Sequence, residues 1–152
     1  MNRKKESKLA KELMTEMLEV RSLGPSNALS LIALASQCVI DCTQRARTFV
    51  HLMPEMENPA RPHAHMLYYK YQPDIRDIRK DWVDASNSLA SHFPGVETAW
   101  HDWVVAYSDM TELQDGAGQE EALAVLDELM AAKRRFVGAL SEVASLIFFL
   151  ES

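Results

Sequence analysis

The sequence predicts an all-α fold: a single helical domain over residues 1–152, a bundle of about five helices with a long C-terminal one. Three observations carry this. Apolar positions recur at alternating steps of three and four almost everywhere outside two linkers, the spacing of helices packed on helices. Chain breakers fall between the periodic segments, at Gly24-Pro25, at Pro54, Pro59 and Pro62, at Phe93-Pro94-Gly95, and from Gly116 to Gly118. A chain of 152 residues that is 47% hydrophobic and 25% charged, with five Gly and six Pro, is long enough for one core and too apolar for disorder.

Each element follows from its own residues. Leu9, Leu13, Met17 and Val20 make one face of the first helix, Lys and Glu fill the other, and Gly24-Pro25 ends it. Ser26 is placed to cap a second helix reaching about Met53, whose first half is apolar almost all round and therefore central. "PEMENPARPHAH" reads as a loop, and "MLYYKYQ" is the one short run with some strand character. Pro73 suits a first helical position, with Ile75, Ile78, Trp82, Ala85 and Leu89 as the seam that follows. The next helix has the seam Val96, Ala99, Trp103, Ala106, Met110 and Leu113. The last runs Leu126, Leu129, Lys133, Phe136, Leu140, Val143, Ile147, Leu150. Continuous from Gln119, it is about 50 Å long at a rise of about 1.5 Å per residue. "DWV" recurs at 81–83 and 102–104, read as two Trp anchoring one core.

The totals exclude several function classes. A net charge of −6 argues against non-specific binding to nucleic acid or anionic lipid and for a neutral or basic partner. Two cysteines, Cys38 and Cys42, make no disulfide scaffold and fit a reducing compartment. The basic N-terminus is followed by no apolar stretch of the signal-peptide kind, and the uncharged run from Gly24 to Ile40 is short for a membrane span, so the expectation is a cytoplasmic protein with no membrane association.

Candidate chemistry is thin. No His has an acid three residues before it, as a carboxylate-bridged di-iron bundle requires. Glu97 and His101 share a helix face but supply only two ligands, and His63 and His65 lack spaced partners. Cys38 and Cys42 lie in an apolar seam, where Cys behaves as a small hydrophobe. No metal or other cofactor is expected. Asp74, Asp77, Asp81 and Asp84 form a possible carboxylate ridge for Mg²⁺, as all-α nucleotide pyrophosphohydrolases use, yet Arg76, Arg79 and Lys80 lie between them as ion-pair partners. There is no phosphate loop and no nucleophile elbow. Tyr68, Tyr69 and Tyr71 around Lys70 suit a protein interface better than base stacking in so acidic a chain.

The strongest lead is charge placement. From Lys80 to Lys133 no Lys or Arg occurs, and the fifty-two residues between carry eleven carboxylates. Residues 96–117 alone carry −5. Crowded like charges do not help a fold, so the block is either a solubilising surface or a docking face. As a docking face, Glu97, Asp102, Asp109, Glu112, Asp115, Glu120 and Glu121 would meet a basic protein surface, with Trp100 and Tyr107, off the core seam, as anchors. The partner so implied is a nuclease or other nucleic-acid enzyme, whose own groove is basic, without direct nucleic-acid contact by this chain. Phage anti-defence and toxin-immunity proteins share this general character, as do acidic secretion chaperones and adaptors. The C-terminal "SLIFFL" is apolar all round the helix: Leu146, Phe148 and Phe149 fall outside the seam, which predicts a homodimer interface.

Overall fold

A computed structural model describes residues 2–58, 60, 63–113 and 116–151, with the side chains of residues 2–6, 64, 65 and 151 outside that description. Six α-helices follow in order: α1 (Asn2–Leu23), α2 (Pro25–Met56), α3 (Ala64–Tyr71), α4 (Lys80–His92), α5 (Pro94–Thr111) and α6 (Gln119–Glu151), with a 3-10 turn at Ile75–Asp77. No strand occurs among the described residues, and no single helix in them is long and apolar enough to cross a membrane.

The central helix is α2, as its all-round apolar first half predicts; it touches each of the other five α-helices. The amide of Gln119 at the start of α6 donates to Val50 O at 3.1 Å, near the end of α2, so the two longest helices run antiparallel. The predicted seams of α5 and α6 form the core: Val96, Trp103, Met110, Leu129, Phe136 and Ile147 are all buried. Trp82 and Trp103, the two "DWV" tryptophans, are both in it. Cys38 and Cys42 are buried too, and their mutual hydrogen bond together with burial pushes the Cys38 thiol far above its ordinary range, so Cys38 is not a reactive thiolate.

Four local expectations are corrected. The N-cap of α2 is Gly24, not Ser26, and Pro25 occupies the first turn. "MLYYKYQ" belongs to a sixth helix, α3, where Tyr68 packs edge-on against Phe49 at 5.3 Å while Tyr69 stays exposed. Pro54 lies inside α2, which reaches Met56. Helix α4 begins at Lys80 and not at Pro73, because Asp74 and Asp77 stop the chain in a capping box: Asp74 Oδ1 accepts from Arg76 N at 2.8 Å, and Asp77 Oδ2 accepts from Asp74 N at 2.8 Å. A capped single turn is satisfied as it stands and need not propagate.

Gly24 makes the corner between α1 and α2, which are bent by 95°. Its φ of +90 lies where side-chain-bearing residues are strained, although an added Cβ would meet nothing closer than Asn27 Cβ at 3.9 Å. Gly24→Ala is therefore expected to destabilise by about 1–3 kcal/mol through backbone strain alone. A urea titration checks it: the midpoint should fall with an unchanged m-value.

Candidate functional site: the acidic outer face of α5 and α6

Helix α5 is held on one side by α4 and on the other by α6. Pro94 at its first turn sets its start, and Glu97 in that turn complements the positive end of the helix dipole. The side turned from the core carries Thr98, His101, Asp102, Val105, Asp109 and Glu112, all within one arc at about 100° per residue. Asp109 and Glu112 are exposed, Asp102 is half-buried, and Val105 is 46% exposed. On α6, Glu120 and Glu121 are exposed in the first turn. Asp115 lies outside the described residues.

Asp109, Glu112 and Leu113 line, with Glu121 and Val125, an open groove of about 650 Å³ between the end of α5 and the start of α6, to which Gly116 and Ala117 also contribute. Carboxylates line its walls and two partly buried aliphatic side chains add apolar contact. A second recess of about 460 Å³ lies between α4 and α5, where Glu97 and His101 are joined by Asn87, Ala90, Trp100 and Val104.

Trp100 and Tyr107 correct the expectation of exposed anchors. Both are buried, Tyr107 completely. Trp100 stacks on Trp103 at 5.7 Å between centroids and lies 5.4 Å from Phe136; its Nε1 donates to Asn87 Oδ1 at 2.9 Å. Tyr107 stacks on the other side of Trp103 at 5.1 Å. Helix α5 packs on α4 and α6 and also touches α2, so its buried arc is wider than the seam its periodicity marks. The apolar contact left to the outer face comes from Val105, Leu113 and Val125, not from aromatic rings.

The carboxylates divide into two populations. Asp74 pairs with Arg76 at 2.7 Å, Asp77 with Arg45 at 3.1 Å, Asp81 with Arg79 at 2.6 Å and Asp84 with Lys80 at 3.8 Å. The predicted Asp ridge is thus dispersed over the capping turn and α4, each member with its own cation. Among the described residues no group of three His, Cys, Asp or Glu converges as a metal site. By contrast, Glu97, Asp102, Asp109, Glu112, Glu120 and Glu121 make no ion pair among the described residues.

Helix ends sharpen the contrast. Glu97, Glu120 and Glu121 lie at helix N-termini, where a carboxylate is favourable. Asp109 is in the last turn of α5 and Glu112 is its C-cap residue, next to the unsatisfied carbonyls and negative end of the dipole, and that turn has no basic residue. Folding gives no reason for acids there; each costs about 0.3–1 kcal/mol.

Sequence reasoning missed the hub that fixes this region. Asp77 Oδ2 accepts from Tyr107 Oη at 3.1 Å and meets Arg45 Nε, as an ion pair and not an aligned hydrogen bond, while Arg45 Nη2 donates to Lys70 O at 3.0 Å. One carboxylate thereby ties α2 and α5 to the capping turn, and burial, with lesser effects from Cys42 and Asp77, pushes the Tyr107 phenol up. The spacing Asp74-x-x-Asp77 was the available signal, as a capping box with Asp in both roles.

Arg76, whose guanidinium and backbone N–H both donate to Asp74, holds that carboxyl down at about 2. A folded value below the ordinary 3.8 stabilises the fold above about pH 4, and the contribution is lost as pH falls from about 4 towards 2. Arg76→Ala is expected to raise the Asp74 titration midpoint towards 3.8, read by NMR of the side-chain carboxyl carbon.

No protein-family model, curated protein or solved structure matches this chain.

Proposed function

We propose that the protein is a non-catalytic binding protein, an inhibitor that lays the acidic outer face of α5 and the start of α6 on a basic surface of a nucleic-acid-handling partner such as a nuclease, in the manner of phage anti-defence and toxin-immunity proteins. It acts in the cytoplasm as a homodimer joined through Leu146, Phe148 and Phe149. The observation that carries the binding reading is the pair Asp109 and Glu112: exposed, with no ion-pair partner among the described residues, at the helix end that disfavours them and on the wall of a groove. The cation-paired Asp74, Asp77, Asp81 and Asp84 favour the non-catalytic reading over a Mg²⁺-dependent pyrophosphohydrolase. Half-buried Leu146 and exposed Phe148 and Phe149 support the dimer.

The test is comparative affinity capture from host extract. Wild-type protein is expected to retain a basic, folded partner that elutes with rising salt and is absent when Asp102, Asp109 and Glu112 are reversed to Lys. Capture of a partly unfolded client instead would identify a secretion chaperone or adaptor. Mg²⁺-dependent pyrophosphate release from a nucleotide panel, lost on Asp77→Ala or Asp81→Ala, would overturn the proposal.

A further inference from the structure

Helix α1 projects from the bundle. Among its described side chains only Val20 is fully buried, and every one from Ser7 to Thr15 is exposed. Yet Leu9, Leu13, Met17, Met14 and Leu18 occupy one arc of about 180°, at about 100° per residue. Leu9, Met14 and Leu18 are 60–64% exposed and Leu13 is 46% exposed. A helix bathed in water gains nothing from such an arc. Helix α1 packs against α6, and the Glu142 carboxylate of α6 acts on Glu16, so Phe148 and Phe149 lie at the same end of the molecule.

Area and charge identify what covers this surface. Leu9, Leu13, Met14, Leu18, Phe148 and Phe149, about 60% exposed at roughly 200 Å² each, offer about 700 Å² per copy. Two copies would bury about 1,400 Å², within the range of about 1,200–2,000 Å² that stable interfaces need. Arg21, exposed in the last turn of α1, is the one charged side chain inside the arc among the described residues, next to Met14 at about 100° per residue. A parallel two-fold neighbour would set arginine on arginine. An antiparallel one holds the two arginines about 20 Å apart along the axis.

We infer that two copies of this chain pair through α1, antiparallel about a two-fold axis beside Leu13 and Met14, with the N-terminal half of each α1 covering the aromatic end of the other copy's α6. The pairing rests on the dimer proposed above and specifies its seam; it is independent of the acidic face.

Cysteine cross-linking tests it on the full chain. Native Cys38 and Cys42, 0% and 2% exposed, are protected in the folded state. With a short bis-maleimide, Leu13→Cys is expected to give a covalent dimer and Ser7→Cys none, because two antiparallel copies hold the Ser7 positions about 20 Å apart along the axis. Leu13→Glu with Met14→Glu changes exposed positions, so the variant is expected to keep its helix content and run as a 17.2 kDa monomer. Equal or better cross-linking at position 7 would overturn the antiparallel seam. A Leu13→Glu, Met14→Glu protein that stays dimeric while Phe148→Glu, Phe149→Glu becomes monomeric would leave the α6 end as the whole interface and overturn the role of α1. Retained capture by the α1 variant, against lost capture by the α5 reversal, keeps this result separate from that of the acidic face.

Discussion

Trp103→Ala is expected to lower the thermal midpoint by about 10–20 °C. The residue is completely buried in the middle of α5, with Trp100 stacked on one side and Tyr107 on the other. Its Nε1 donates to Thr43 Oγ1 at 3.1 Å, joining α5 to the central helix α2 across sixty positions of sequence. Truncating a large buried aromatic costs about 3–5 kcal/mol, and Thr43, itself 3% exposed, loses its partner at about 1 kcal/mol more. For a chain of this length each kcal/mol moves the midpoint by about 2–4 °C. Trp103→Phe keeps a ring in the stack and strands only Thr43, so a loss nearer 1–2 kcal/mol is expected. Calorimetry of the pair measures the difference; near-equal losses would mean that the Thr43 hydrogen bond, and not the ring stack, holds α5 in place.

Reversing Asp102, Asp109 and Glu112 to Lys is expected to abolish partner binding while leaving the thermal midpoint unchanged or higher. Three reversals add six charges and bring the formal net charge from −6 to zero. Loss of steering alone lowers an association rate by about 10- to 1,000-fold. Stability moves the other way, because Lys at 109 and 112 complements the end of α5 that the acids oppose. Glu120→Lys with Glu121→Lys supplies the contrast: at the start of α6 the same reversal should destabilise by about 0.3–1 kcal/mol per residue. Neutral Asn and Gln replacements at 102, 109 and 112 leave a net charge of −3 and control for the poorer solubility of an uncharged protein. Binding that survives the reversal at low salt would place the docking face elsewhere.

The acidic block was legible because a run without Lys or Arg needs no structure to be seen. What could not be read from it was which carboxylates fold already employs. Asp74 and Asp81 find their cations two residues away, whereas Asp77 finds Arg45 thirty-two positions back on α2. The placement of Asp109 and Glu112 became informative only once α5 was seen to stop at Thr111. Trp100 and Tyr107 were misplaced for a related reason: periodicity marks the middle of a buried arc, and its width depends on how many helices pack there.

By itself the sequence determined that the chain is helical, where the seams of α5 and α6 run, and that one third of it carries carboxylates with no Lys or Arg. These are local properties, set by spacing at about 3.6 residues per turn and by charge along the chain. Only the tertiary structure decided how far α2 continues. Pro54 has no N–H to give to Val50 O, and by local rules it should end the helix. The amide of Gln119, sixty-nine positions away, donates to that carbonyl instead, and α2 runs on to Met56. A backbone group left without its helical partner can be satisfied from anywhere in the fold, and which donor arrives is fixed by packing that no local window contains.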